Sequence, residues 1–530
     1  MTTPHSCIDQ TFDVVVIGSG FGGAAVACRL AQAGKTVAIL EQGKEYPPGP
    51  VNVLATGHGT EQIRHGHFVV DIGMGMNVIR GVGVGGGSLH YFGVRLRAQA
   101  EIFDDPRWPA SISREVLDPY YDLAGDILHA APLQPNPVLG LPARTNAFMA
   151  AAQNCRRCIS EPHLVPIAVH SAKAPAKTPS GIDQTRCVYC GECLIGCPPS
   201  QSFEGNVNAR ALLTLNYLAV ARDTGRTQIF AQHRVQQIRQ VGKTFEVDVA
   251  VLDGDETITQ QGVVRAKQVV LAAGSLGSTE VLLKSQDKGG LTGLSDKLGH
   301  FFSGNGDFLI PKTVNTPQNL QPKSGPSITV GADFSNAENT IFIEDLGTIP
   351  FVEAVLGTTK DTAKQTNPYQ LGYLGMGTDA ANGELRLHNG RVRLYWDPTQ
   401  SLPLYQQLTD CFRELSQQLG GDYQDPAGYN PVTGTGLLTA HPLGGCVMAD
   451  SADNGVCDPQ GQVYGVPGLF VADGALIPTA LATNPSYTIS ALAERVAFWM
   501  LHGRDMVAGD AATPSNANTQ PTAATTATTS

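Results

Sequence analysis

The chain has 530 residues, of which 42% are hydrophobic, 59 are glycine and 34 are proline. This length allows two or three domains, and the composition is typical of an α/β protein rich in turns. The net charge of −11 argues against nucleic acid and anionic membrane surfaces as partners.

The two ends of the chain carry no pattern typical of a membrane anchor. No apolar run approaches the ~18 residues of a transmembrane helix, and the start, MTTPHSCIDQ, lacks a charged segment followed by an apolar one. We therefore expect a cytoplasmic protein without a transmembrane segment. Residues 506–530 contain almost no bulky apolar side chains, which predicts a disordered tail.

The first predicted elements are a strand, a turn and a helix. The apolar run 14–17 is bounded by glycine, which is typical of a strand buried on both faces of a parallel sheet. The fingerprint GxGxxG follows, and it consists of Gly18, Gly20 and Gly23, with Phe21 between them. These glycines allow a tight turn and let a pyrophosphate approach the N-terminus of the helix.

The helix is expected from about Gly22 to Ala33, and a second strand, TVAIL, leads to Glu41. Glu41 follows the last glycine of the fingerprint by 18 residues, where a carboxylate accepts hydrogen bonds from ribose hydroxyls. The unit therefore predicts a dinucleotide site, but NAD and FAD share this pattern.

A glycine-rich loop, RGVGVGGGSLHYFG, occupies residues 80–93. With so few side chains, its backbone can lie flat against a large planar ligand. The candidate cofactor residues of this loop are Gly81, Gly86, Gly87, Ser88 and His90.

Four cysteines lie close together in CVYCGECLIGCPP, residues 187–199: Cys187, Cys190, Cys193 and Cys197. The spacing CxxCxxCxxxCP is that of bacterial ferredoxins, where thiolates bind an iron–sulfur cluster. Zinc and a compact thiol-rich loop without metal are the alternatives, and the spacing alone does not decide between them.

Two later segments repeat the strand, turn and helix pattern. They are VVLAAGSLGSTEVLLKS (269–285), with Gly274, and a stretch near the end, in which a strand at 469–472 is followed by Asp473, Gly474 and a helix from about Tyr487. Such a late return to the first domain, with an acid placed for a ribityl or pyrophosphate contact, favours FAD over NAD. Between residues 301 and 430, NTIFIED and GRVRLYWD alternate in polarity, which predicts an antiparallel sheet.

These segments together resemble the glucose–methanol–choline (GMC) oxidoreductase family and, within it, the bacterial cholesterol-oxidase-like branch. The motifs GSGFGG, RGVGVGGGSLHYFG, AAGSLGSTEVLLKS, HPLGGC and NPSYTISALAE carry the resemblance, in order, over roughly residues 10–503. It implies an α/β fold with a discontinuous Rossmann-like FAD-binding domain (10–300 and 431–505) and an α+β substrate domain (301–430) built on an antiparallel sheet. The four-cysteine loop belongs to an insertion at 100–205.

The resemblance also assigns site residues. It implies that the loop at 80–93 covers the isoalloxazine and the pyrophosphate, and that His90 is the position at which some relatives link FAD covalently. His441 in TAHPLGGC and Asn484 in ATNPSYT match the pair that, in the family, takes the alcohol proton and orients the oxygen. A neutral imidazole suits the first task and an amide the second.

Glu344 and Glu353 both stand in apolar runs, in IFIEDLGTIPFVEAVLG. Their spacing is similar to that around the glutamate that moves a proton in cholesterol oxidase, and Glu353 is the candidate for such an auxiliary acid/base. A carboxylate at a strand edge is the alternative.

We therefore predict FAD-dependent oxidation of a hydrophobic alcohol, such as a sterol, a terpenoid or a long-chain alcohol. Oxygen accepts the electrons if FAD acts alone, and an electron carrier accepts them if an iron–sulfur cluster is present. The alternatives are lyase or photodecarboxylase chemistry on the same fold, and a flavin electron-transfer protein.

Overall fold

The computed structural model describes residues 6–47, 62–174, 176–194, 196–197, 209–347, 367–507 and 510. Its helices are α1 (Phe21–Gln32), α2 (Arg114–Leu128), α3 (Ala143–Gln153), α4 (Tyr217–Asp223), α5 (Gly274–Asp287), α6 (Leu402–Gln418) and α7 (Ser486–His502). Its strands are β1 (Thr11–Ile17), β2 (Val37–Leu40), β3 (Gln62–His65), β4 (Phe68–Asp71), β5 (Met76–Gly81), β6 (Ala131–Pro132), β7 (His163–Leu164), β8 (Pro166–Ile167), β9 (Ala176–Lys177), β10 (Asp183–Gln184), β11 (Thr227–Phe230), β12 (His233–Val241), β13 (Thr244–Leu252), β14 (Ile258–Leu271), β15 (Phe308–Val314), β16 (Val330–Asp333), β17 (Ile341–Leu346), β18 (Leu371–Gly377), β19 (Glu384–His388), β20 (Arg391–Tyr395), β21 (Asp422–Gln424), β22 (Leu437–Thr439) and β23 (Leu469–Val471). The predicted glutamate Glu353 and most of the predicted tail lie outside the described residues.

The largest sheet has the order β11-β2-β1-β14-β13-β12, and β23 also pairs with β14. Strands β11, β2, β1, β14 and β23 run parallel, whereas β13 and β12 are antiparallel. Strand β14 joins both parts because its first half pairs with β13 and its last residues pair with β1 and β23. All four residues of β2 are buried, as expected for a parallel sheet covered on both faces.

The predicted first helix is confirmed within a residue of its expected start, and α1 packs closely on the sheet. Gly22 makes this possible, since a Cβ at this position would lie 1.6 Å from the carbonyl oxygen of Ala472, just after β23. The late C-terminal segment thus completes the nucleotide-binding unit that the N-terminal motif begins.

A second sheet, β21-β15-β18-β17-β16-β7, is antiparallel throughout. Helix α6 packs against it, and Phe308, Tyr373 and Phe412 lie in the core between them. The predicted antiparallel sheet is therefore present, and β7 joins it from an earlier part of the chain.

The segment GRVRLYWD departs from its prediction. It forms β20, which pairs with β19 in a separate two-stranded sheet and contacts α5 rather than joining the second sheet. Buried and exposed residues do not alternate along this strand, since Leu394 is its one buried residue. The backbone N–H of Val392 instead donates to Glu280 of α5 at 2.8 Å.

A third sheet, β22-β5-β4-β3, positions the site. Strands β22 and β5 are parallel, with Thr439 opposite Val78. Since both strands end at the same edge, the glycine-rich loop after β5 and His441 after β22 lie on the same side of this sheet.

Candidate active site

An elongated cavity is walled by residues from all three of these sheets. The predicted residues that line it are Gly18, Gly20, Phe21, Glu41, Gly81, Gly86, Gly87, His90, Gly274, His441, Asp473, Gly474 and Asn484. The structure thus places the nucleotide motifs, the glycine-rich loop and the pair His441 and Asn484 around the same cavity.

Two of the predicted cofactor residues, Gly23 and Ser88, do not line the cavity and instead support the residues that do. At Gly23, a Cβ would lie 2.1 Å from the carbonyl oxygen of Gly18, so its role is the close packing of turn and helix. The Ser88 hydroxyl donates to the carbonyl of Gly85 at 2.8 Å and accepts from the N–H of Leu213 at 3.2 Å. Ser88 therefore shapes the loop from within.

The cradle at the start of α1 fits a pyrophosphate. Gly18 has a φ of +101°, and its Cβ would lie 2.3 Å from the carbonyl oxygen of Ala272, whereas a Cβ at Gly20 would meet no heavy atom within 4 Å. The free space thus lies at Gly20, just before the helix N-terminus, where unpaired N–H groups and the helix dipole favour an anion. A dinucleotide can approach the backbone here.

Two buried carboxyl groups flank this cradle. Glu41 accepts hydrogen bonds from the Ser19 hydroxyl at 2.7 Å and from the Gly43 N–H at 2.9 Å, and burial raises its pKa. Asp473 accepts from the N–H of Gly274 at 2.8 Å and from the Ser278 hydroxyl at 2.5 Å. Burial raises the pKa of Asp473 to about 6. Each carboxyl lines the cavity and retains lone pairs for a hydroxyl donor of the ligand.

His441 and Asn484 lie on the cavity wall, and each contacts a fully buried acid. The Nδ1 atom of His441 lies 2.8 Å from Oδ1 of Asp307. The Asn484 side chain donates to Oε2 of Glu344 at 3.3 Å. Both acids have an exposed fraction of 0%, so the pair is held from behind by carboxyl groups.

Glu344, the other glutamate of the predicted apolar run, contacts Asn484, whereas the prediction for Glu353 falls outside the described residues. Burial raises the pKa of Glu344 to about 8, with a further contribution from the nearby negative charge of Asp307. Its Oε1 atom is buried without a hydrogen-bond partner. Glu344 is therefore largely protonated at neutral pH and can give or take a proton beside Asn484.

Family models match at both ends of the chain. A model described as GMC oxidoreductase matches residues 421–493, and one described as FAD binding domain matches residues 13–48. A cholesterol oxidase of Mycobacterium tuberculosis is 28% identical over 92% of this chain and 90% of its own length. A cholesterol oxidase of Acinetobacter baumannii is 25% identical over 91% of this chain and 93% of its own. Over most of its length the chain is similar to GMC oxidoreductases of the cholesterol-oxidase-like branch. It is an FAD-dependent alcohol oxidoreductase.

Solved structures support the fold of this enzyme. A fungal aryl-alcohol oxidase aligns with a TM-score of 0.61 at 14% identity, covering 92% of this chain and 98% of its own. A pyridoxine 4-oxidase aligns with a TM-score of 0.59 at 17% identity, covering 92% and 99%. The predicted fold class is thus confirmed. In the part of the chain that is described, no helix is both long and apolar enough to cross a membrane.

The four cysteines are free thiols that line one small cavity beside Arg210. Burial raises the pKa of Cys190 to about 12. Within the described ranges, no three His, Cys, Asp or Glu side chains are arranged to hold a metal ion. An iron–sulfur cluster, which the spacing leaves open, is therefore not supported, and neither is zinc.

The cysteine loop instead closes the cavity of the FAD site. Arg210 donates to the carbonyls of Cys193 and Leu89, which ties the cysteine loop to the flavin loop. Leu194 lines the main cavity, and its carbonyl lies 3.1 Å from Nε2 of His67.

His90 is buried on the cavity wall, and its Nδ1 has no hydrogen-bond partner. Burial and the neighbouring His67 and Arg210 lower its pKa to about 3, so the imidazole is neutral. A covalent bond from His90 to FAD stays a prediction.

Asp307 is the functional residue that the sequence analysis missed. It lies in SGNGDFLI, directly before β15, and a single acid at the start of an apolar strand carries no local signal of a catalytic role. Its importance depends on a contact with a residue 134 positions later, which one sequence does not reveal.

Proposed function

We propose that this enzyme oxidises the hydroxyl group of a hydrophobic alcohol, such as a sterol, a terpenoid or a long-chain alcohol, to the carbonyl. The observation that carries the proposal is that His441 and Asn484 share one cavity with the pyrophosphate cradle at Gly20. Bound FAD supplies the hydride acceptor. The residues of the chain have to bind the alcohol, orient its oxygen and remove its proton.

The base is His441. Its Nδ1 atom is engaged by the buried Asp307, which leaves Nε2 as the nitrogen that accepts the hydroxyl proton. Asn484 directs an amide into the same cavity. One N–H of this amide donates to Glu344, and the other can donate to the alcohol oxygen, whose single proton goes to His441.

The proposed substrate class rests on the apolar side chains that line the cavity around His441 and Asn484. The apolar side chains there include Phe68, Ile79, Leu194, Leu309 and Leu374. Burying apolar substrate surface against them contributes roughly 25 cal/mol per Å². The names of the relatives agree, since they include cholesterol oxidases and, at 21% identity over 91% of this chain, a long-chain-alcohol oxidase of Arabidopsis thaliana.

Glu344 is proposed as an auxiliary acid/base because it contacts Asn484; Glu353 stays a prediction. The neutral carboxyl of Glu344 can donate to a product carbonyl or to Asn484, and its ionised form can take a proton from carbon next to that carbonyl. Such a step suits a sterol with a double bond near the oxidised position. We further propose oxygen as electron acceptor, because these relatives are named oxidases.

The test is anaerobic flavin reduction by sterols and long-chain alcohols in the His441→Ala variant. We expect the variant to retain FAD and fold but to reduce the flavin about 10²–10⁴-fold more slowly, because the general base is lost. His388→Ala, on the exposed end of β19, is the matched control and should reduce flavin like the wild type.

Two outcomes would contradict the proposal. Near-normal reduction in His441→Ala removes His441 as the base. If no alcohol reduces the flavin of the wild type, the protein is not an alcohol oxidoreductase of this substrate class.

A further inference from the structure

A five-residue turn, 303–307, lies behind both proposed catalytic side chains. Asp379 holds it by accepting from the Ser303 hydroxyl at 2.7 Å and from the N–H groups of Gly304 and Gly306 at 2.9 and 3.0 Å. Asp379 is itself buried, with an exposed fraction of 4%. The turn is therefore fixed before it meets the active site.

The middle of the turn is bound to the segment that carries Asn484. The Asn305 side chain donates to the carbonyl of Thr483 at 2.9 Å and accepts from the N–H groups of Leu481 and Ala482 at 2.8 and 3.1 Å. All three contacts precede Asn484 directly in the chain. One turn thus sets the position of one side of the pair.

The end of the turn is Asp307, which contacts the other side of the pair. Its Oδ1 atom lies 2.8 Å from Nδ1 of His441. Its Oδ2 atom accepts from the Ala440 N–H at 2.9 Å and lies 3.0 Å from the Thr439 hydroxyl. Because the groups at Oδ2 approach as donors, Asp307 acts as an acceptor, which is the behaviour of a carboxylate.

We propose that Asp307 is a positioning residue that holds His441 in the tautomer protonated at Nδ1 and stabilises the imidazolium formed during the reaction. The inference rests on the proposed function. When the O–H bond of the alcohol breaks, the proton forms a bond to Nε2, and the resulting positive charge lies beside the buried carboxylate. The same logic governs a serine–histidine–aspartate triad, where the acid orients the imidazole without itself being protonated.

Asp307→Asn tests this with almost no change in volume. If its Oδ1 faced His441, its NH₂ group would face the N–H of Ala440, donor against donor. The favoured arrangement therefore turns the NH₂ group towards Nδ1 of His441. The imidazole then accepts at Nδ1 and carries its proton on Nε2, where it cannot accept the alcohol proton.

The experiment is the rate of anaerobic flavin reduction by alcohol as a function of pH in full-length, FAD-loaded protein. We expect Asp307→Asn to lower the plateau about 10²–10⁴-fold. We also expect the midpoint of its acid limb to move to lower pH by about one unit or more, because the negative charge that favoured the imidazolium is gone.

Asp453→Asn, at an exposed position away from the site, is the matched control, because it makes the same change of charge without a contact to His441. It should change neither the rate nor the pH midpoint. A second readout needs no turnover: the downfield proton resonance of the Asp307–His441 hydrogen bond should be present in the wild type and absent from Asp307→Asn and His441→Ala.

The outcomes separate this inference from the proposed function. If His441→Ala abolishes reduction but Asp307→Asn keeps the wild-type rate and midpoint, the role of Asp307 is overturned and the proposed function stands. If His441→Ala reduces flavin normally, both fail. An equal shift of the midpoint in Asp453→Asn would assign the effect to the net charge of the protein and overturn the role of the Asp307–His441 contact.

Discussion

Two buried carboxyl groups near the catalytic pair differ in how many donors surround them. Asp307 is approached by His441, Ala440 and Thr439, whereas Glu344 receives one amide hydrogen bond, at 3.3 Å. Donors favour the charged form, and burial without donors favours the neutral form. Glu344, whose pKa burial raises to about 8, therefore lies near an acid that several donors surround.

The raised pKa of Glu344 predicts that the stability of the folded protein depends on pH. Burial raises the pKa of this residue to about 8 in the folded protein, well above the ordinary range of a glutamate, so the folded state binds the proton more tightly than the unfolded state. Its contribution to stability is full below about pH 4.5, is lost as pH rises towards 8, and changes little above that. The slope is at most about 1.4 kcal/mol per pH unit.

Glu344→Gln should remove this dependence. Between pH 5 and pH 8, the thermal midpoint of the wild type should fall relative to that of the variant, so that the variant gains relative stability at the alkaline end. Thermal unfolding across this range is the measurement. Glu338→Gln, on an exposed loop, is the control. Parallel curves for wild type and Glu344→Gln would show that Glu344 is ionised throughout.

At the scale of elements, two neighbouring glycines of one motif have different tasks. Gly22 faces Ala472, with 1.6 Å from an added Cβ to the carbonyl oxygen, whereas an added Cβ at Gly20 meets no atom within 4 Å. Gly22 therefore serves the packing of α1 against the end of β23. Gly20 keeps room for the cofactor.

The pair of variants Gly20→Ala and Gly22→Ala separates these tasks. Gly20 has a φ of −72°, which alanine adopts readily. We expect Gly20→Ala to keep its secondary structure and apo thermal stability but to bind FAD more weakly in a fluorescence titration. Gly22→Ala should lose stability by about 1–3 kcal/mol or more, because helix and strand must separate. Wild-type FAD affinity in Gly20→Ala would contradict the assigned pyrophosphate position.

Elements with a local signal were predicted well from the sequence. Helix α1, strand β2, strand β17 and helix α7 were all expected close to where they lie, because glycine turns and apolar runs mark their ends. The strand β20 was assigned to the wrong sheet, since alternation predicts a strand but not its partner. The roles proposed for Asp307 and Glu344 depend on their contacts with His441 and Asn484. These contacts join distant segments, and hydrophobic periodicity does not encode them.

At the scale of the whole molecule, three sheets and the cysteine loop converge on one cavity. Strands β5 and β22 bring the flavin loop and His441 to one edge, and the turn 303–307 reaches both His441 and the Asn484 segment. Arg210 ties the cysteine loop to the flavin loop. FAD would therefore contact parts of the chain that are far apart in sequence, and its removal should destabilise the whole site.

The same architecture bears on where the electrons go. An iron–sulfur cluster would pass them singly to a carrier, and it needs thiolates gathered around one centre. The four thiols line one small cavity, but no three His, Cys, Asp or Glu side chains among the described residues are arranged to hold a metal ion. The carbonyl of Cys193 accepts from Arg210. We therefore expect anaerobically purified protein to contain FAD with no stoichiometric iron or acid-labile sulfide.

The electron acceptor can be tested through the product formed in air. Each molecule of alcohol oxidised should yield one molecule of hydrogen peroxide, since two electrons and two protons pass to one molecule of O₂. Replacing Cys190 and Cys193 with serine together should leave that ratio unchanged, because the loop serves packing rather than electron transfer. Iron and sulfide near the stoichiometry of a cluster, with slow reoxidation by oxygen and fast reoxidation by an artificial electron carrier, would instead identify the cysteine loop as a redox relay and the enzyme as a dehydrogenase.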